Sequence, residues 1–186
     1  MRRDWTSRIT AELEGCDRRA DSVAKGLTSA QLNWHAEGAW GIGQCLDHLR
    51  LMNEVYLAAI SATLDGSSRG EANEIRLGGF SRWFIRKFID PNPGGTRARA
   101  PKKIVPAAQA EGDALQAFLR SNVAARELVA RAGDYDVNRI RFRNPFVPLL
   151  RFTVGEGLEI VVRHQGRHLL QAERVRQLAG FPETSG

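Results

Sequence analysis

Two of the four histidines in this 186-residue chain stand as His164-x-x-x-His168 within RHQGRH. Residues four apart on an α-helix differ by only about 40° in direction, so both imidazoles leave the same face, within reach of one metal ion. His168 continues the apolar series Val154, Leu158, Val161, Ala172 and Val175, and His164 lies at the edge of that stripe. A buried neutral imidazole needs partners, and two side by side repel if protonated; coordination to a cation resolves both difficulties. The alternative is a partly exposed pair, since Arg163 and Arg167 flank them. His48 falls beside Cys45 and Met52 on a second apolar stripe and also points inward. It is either a third ligand or a core histidine bonded to a backbone carbonyl. His35, in LNWHAEG, belongs to no such pattern.

Four amphipathic helices account for most of the sequence around these residues. Helix one carries Ile9, Leu13, Cys16, Ala20, Val23 and Leu27 at alternating spacings of four and three. Thr28 and Ser29 are candidate caps for a short segment from Ala30 to Trp34. Helix two runs from about Gly41 to Leu64, with Ile42, Cys45, Leu49, Met52 and Tyr56 on one face, and DGSSRG stops it. Residues 65–106 form a long irregular excursion. Its one helical patch is Phe80 to Ile89, and PNPGGTRARAP cannot continue a helix. Helix three is marked by Leu115, Phe118, Asn122, Ala125 and Leu128 and ends at Gly133; DVNRIRFRNPFVPLL, broken by Pro145 and Pro148, follows. Helix four opens at Thr153, with Glu156 as its capping-box partner, and is expected to reach about Ala179. The only strand signal is short, such as Asn138 to Arg143. The expected fold is therefore all-α: a single four-helix domain over 1–186, with a long crossover between helices two and three.

Composition narrows the function. The chain is 42% hydrophobic and 26% charged, and no apolar run is long enough to span a bilayer. The N-terminal MRRDWTSRITAELEG lacks the uninterrupted apolar stretch of a signal peptide, so a cytoplasmic location is expected. Cys16 and Cys45 both sit in apolar helical patterns, which does not suggest a disulfide framework. The net charge of +6 is accounted for by one segment, Arg82 to Lys103, whose seven basic residues face a single acid, Asp90. We read this run as a solvated loop with its helical flank, and expect no nucleic acid or membrane contact.

The stretch LTSAQLNWHAEGAWGIGQCLDHLRLMNEVYL resembles the start of DinB-like proteins, the superfamily that includes YfiT-type metal hydrolases and bacillithiol S-transferases. The matching positions are Leu27, Gln31, Leu32, Trp34, Trp40, Ile42, Leu46, His48 and Leu49, and the family's late His-x-x-x-His with a following glutamine is matched by His164, His168 and Gln171. The resemblance implies a four-helix bundle with one long crossover, a histidine triad holding one divalent ion (zinc or nickel), and frequent homodimers. It also implies use of the metal to activate a low-molecular-weight thiol that attacks an electrophilic small molecule. Hydrolysis, or a non-catalytic metal- or ligand-binding role in stress response, are the alternatives. Where the family often has a serine to cap helix two, Gly41 stands here. Cys45 is a fourth ligand or an inert core thiol, the inert reading being preferred. Asp47 and Glu159 do not share the faces of the histidines, which leaves no placed general base. Gln44 and Gln171, each one turn from a histidine, are candidates for pocket or supporting hydrogen bonds. Trp34 and Trp40 are expected to be core anchors.

Overall fold

A computed structural model describes residues 4–91, 100–110 and 112–183. Four long helices dominate it: α1 (Asp4–Ala24), α3 (Ile42–Asp65), α5 (Ala114–Ala132) and α6 (Val154–Arg176). Between them lie the short helices α2 (Ser29–Asn33) and α4 (Gly79–Phe84). The latter runs on through a π-helical turn, Ile85–Ile89, and a single 3₁₀ turn follows at Lys102–Ile104. The expected helical patch Phe80 to Ile89 is thus real, while Arg97 and Arg99 of the basic run lie outside the described residues.

α1 and α3 each pack on both α5 and α6, which places α1 diagonally across the bundle from α3, and α5 from α6, while the consecutive helices α3 and α5 are neighbours. Side-chain pairs fix the directions. Arg8 pairs with Glu159 and Arg19 with Glu173 (2.7 Å), so α1 and α6 are parallel. Asn53 bonds Asn122 at mid-length while Ser61 and Asp65 meet Arg131 at the ends, so α3 and α5 are parallel too. α3 and α6 are antiparallel: Ile60 meets Gly157 toward one end, while His48 lies against His164 and His168 toward the other. The order is up, down, down, up. Two consecutive parallel helices oblige the chain to return along the whole bundle, about 36 Å for a 24-residue helix. That distance is the physical reason for the long excursion.

Caps set the boundaries. Thr153 accepts from the Glu156 amide while the Glu156 carboxylate accepts from the Thr153 amide (2.8 Å), the capping box read from the sequence. Thr28 and Gln31 form another on α2. Gly41 opens α3 because a β-carbon there would lie 2.8 Å from the Trp34 carbonyl and 3.0 Å from that of Leu32. A serine would not fit this approach, and Gln44 takes over the cap by accepting from the Gly41 amide (3.1 Å). α6 ends at Arg176, one turn short of the expected Ala179, and Gly180 turns the chain with φ at 87°. A second departure is a two-stranded antiparallel hairpin, β1 (Arg141–Arg143) with β2 (Arg151–Thr153), in which Phe142 opposes Phe152. The second strand carried no readable alternation; it pairs with β1, whose Phe142 packs over Gly157 in α6, where a β-carbon would meet the ring at 2.6 Å.

The apolar interior divides into two clusters. One joins Ile9, Leu13, Tyr56, Ile60, Phe142, Phe152 and Leu158; the other joins Ala20, Ile42, Leu46, Leu49, Phe118 and Leu169. Between them lies a polar layer to which all four long helices contribute. The Asn53 amide donates to Ser121 Oγ (2.8 Å) and Asn122 Oδ1 (2.9 Å), and Gln165 Nε2 donates to Asn53 Oδ1 (3.0 Å) and Asn122 Oδ1 (2.8 Å). Asn122 Nδ2 in turn donates to Gln165 Oε1 (3.1 Å) and to Asp17 (2.7 Å), whose other oxygen accepts from Arg126 (2.5 Å). Every amide hydrogen and oxygen of the three buried amides is bonded.

Candidate metal centre

α6 brings His164 and His168 to one face, as the four-residue spacing requires, and antiparallel α3 brings His48 opposite them. The side chains are buried: the three residues are 2%, 8% and 9% exposed. One ring nitrogen of each lies within 4.8 Å of those of the other two, the arrangement of a three-ligand metal site. Among the described residues no carboxylate or thiol joins the group. Cys45 lies in the apolar cluster with Leu46 and Leu49, and burial pushes its thiol up to about 12.

The outer hydrogen bonds decide which nitrogen is free. His48 Nδ1 lies 2.6 Å from the Ile104 carbonyl, which can only accept, so Nδ1 carries the proton and Nε2 presents a lone pair. His168 Nδ1 donates in the same way to Gln171 Oε1 (3.0 Å). Inside the group, His48 Nε2 and His164 Nε2 are 3.3 Å apart. Two imidazoles on a tetrahedral ion, each about 2.0–2.1 Å from it, place their nitrogens about 3.3 Å apart. His164 Nδ1 is buried with no hydrogen-bond partner among the described residues. Inward lone pairs, outward N–H groups and one orphaned ring fit a divalent cation.

All three rings are held neutral. Burial is the main cause in each case, and it lowers His168 to about 3 and His164 well below its ordinary range. For His48 the downward push is partly offset by its bond to Ile104. The mutual repulsion of the rings and the positive charge of Arg167 add to burial. Neutral imidazole is the protonation state that coordinates metal.

The remaining sequence candidates fall in different places. Gln171 is hydrogen-bonded to His168. Gln44 serves the α3 cap, and its amide donates to the Ala107 (3.1 Å) and Ala108 (3.3 Å) carbonyls, tying down the far end of the excursion and not the histidines. Trp34 packs edge-on against Phe181. Trp40 is more than a core anchor, for its ring lies 4.7 Å from that of His48 and 5.8 Å from that of His168. His35 is exposed and away from the group. Carboxylates near the site are already engaged: Asp47 by Arg50 and the Ala107 amide, Glu159 by Arg8 and Arg163. The Ile104 carbonyl is a functional group that no side-chain pattern could announce.

No helix among the described residues is long and apolar enough to cross a membrane. No curated protein and no solved structure matches the chain significantly. The family model of the DinB superfamily matches residues 12–172, a span that includes both histidine-bearing helices, and the chain belongs to that superfamily.

Proposed function

We propose that this protein is a divalent-metal-dependent enzyme in which His48, His164 and His168 hold one zinc or nickel ion, and that it transfers a low-molecular-weight thiol to an electrophilic small molecule. The observation that carries the metal is the inward convergence of Nε2 lone pairs from rings whose Nδ1 protons are committed to Ile104 and Gln171. An ion with three neutral ligands keeps its full charge and an open position, and supplies Lewis acidity that lowers the pKa of a coordinating thiol or water. Cys45, deep in the apolar cluster, leaves that position open.

The state of the carboxylates supports thiol transfer over hydrolysis. A thiol, with an ordinary pKa near ~8.5, loses its proton far more readily than water and needs no separate base. Asp47 and Glu159 are committed to arginines, so neither stands free to activate water. What this chain's own residues contribute is orientation and exclusion of water. Ile104 and Gln171 fix two of the rings, Trp40 lies against two, and the excursion is anchored beside them at Phe88 and Ile104. Elemental analysis of protein purified without added metal should find one divalent ion per chain. A screen of small electrophiles should then show metal-dependent consumption of added thiol. Protein without stoichiometric metal would refute the reading.

A further inference from the structure

Arg163 and Arg167 both flank the histidines on α6, but only one is neutralised. Arg163 is paired with Glu159 and with Asp90, both at 3.3 Å, and so already clamps the excursion to the helix. Arg167 has no carboxylate partner among the described residues. Among the described residues, its one hydrogen bond runs from a terminal nitrogen to the Phe88 carbonyl (2.7 Å) near the end of the π-helical turn. A guanidinium has five N–H donors in a planar fork, so most of its capacity is unused. Arg167 is half-buried, follows His164 by three residues and precedes His168 directly. Its charge reaches all three imidazoles.

With no acidic ligand in the group, the described residues supply no anion within it to balance either this guanidinium or a bound divalent ion. Water solvates the half-buried guanidinium in the free protein, and an anionic ligand can take that water's place. We propose that Arg167 is a binding residue for an anionic ligand, and that the thiol used at this site carries a carboxylate, which the Arg167 fork receives while the sulfur faces the histidines. The inference rests on the metal reading above. The Phe88 carbonyl accepts from one terminal nitrogen of the guanidinium, and the remaining N–H groups can donate to a carboxylate in the two-point geometry arginine favours.

The test uses the cobalt(II)-loaded full chain, titrated with 3-mercaptopropionate and with 2-mercaptoethanol, thiols of similar size that differ in the carboxylate. Sulfur-to-cobalt absorption reports thiol binding, and the visible bands of the ion alone report the metal site. The wild-type protein should bind 3-mercaptopropionate more tightly. Arg167→Gln, which removes the charge and keeps a polar side chain, should weaken that thiol by about tenfold or more and leave 2-mercaptoethanol within about twofold; Arg167→Lys should recover part of the loss. A normal cobalt spectrum with no preference between the thiols overturns the proposal and spares the metal reading. So does an equal loss for both thiols in Arg167→Gln, which would mark Arg167 as a support for the excursion. Failure to bind one cobalt per chain overturns the metal reading and the carboxylate proposal with it.

Discussion

Two polar groups sit side by side inside this bundle, and they are built on opposite terms. Gln165 belongs to the amide layer and His164 to the histidine group, consecutive residues of α6 that point about 100° apart. In the amide layer each donor meets an acceptor and the chain of bonds ends on the Asp17–Arg126 pair. In the histidine group the outer N–H groups of His48 and His168 are satisfied, but the inner nitrogens face one another and His164 Nδ1 has no partner among the described residues. A buried polar cluster that completes itself rigidifies a core, and one that does not is incomplete without a ligand. The difference between structure and site is therefore a matter of hydrogen-bond accounting, not of burial or polarity.

Substitutions should separate the two groups cleanly. The largest expected effect is on metal: His164→Ala should lower affinity for zinc or nickel by more than about 100-fold and abolish the rise in Tm that the metal gives the wild-type protein, as seen in a thermal melt with and without the ion. Retention of the metal by this variant would erase the contrast. Asn122→Ala should behave in the opposite sense, costing about 2–4 kcal/mol, or roughly 5–10 °C in Tm, while one ion per chain still binds. If it loses the metal with its fold intact, the two groups are one unit. Acid should find the histidines first. With metal removed, the neutral folded rings bind protons less readily than the unfolded chain, whose histidines titrate near 6.5. Their contribution is fully present above that pH and is lost as pH falls toward about 3, the folded value for His168. Denaturant melts from pH 7 to 5 should show a loss of about 2 kcal/mol for His168 alone, reduced in His168→Ala. The smallest effect belongs to Gln171→Ala, which should weaken metal about tenfold in a competition titration with little change in Tm.

The sequence made parts of this legible and concealed others for definite reasons. The four long helices follow from period, and the α6 start from Thr153 and Glu156, because local spacing and capping chemistry act within one turn. The histidine pair follows from the same periodicity. Asn122 stood visibly on an apolar stripe, but its partners Asp17, Asn53 and Gln165 come from three other helices, and no local pattern couples them. Gln44 was placed one turn from His48, yet its amide is consumed by the cap and by Ala107, since Gly41 offers no side chain of its own. The path of the excursion follows from the parallel arrangement of α3 and α5, which helical periodicity leaves undetermined.

That parallel arrangement also separates two kinds of inheritance in one chain. The returning segment is obliged by topology to run the length of the bundle, and its described parts meet the histidine-bearing helices at two places. Its π-helical turn reaches Arg167 and its 3₁₀ turn reaches His48, while the ion-pair and amide contacts between the long helices run through other residues. Changes within it can alter what approaches the site without repacking the four helices, so the bundle serves as a fixed chassis and the crossover as the exchangeable part that selects the chemistry's guests.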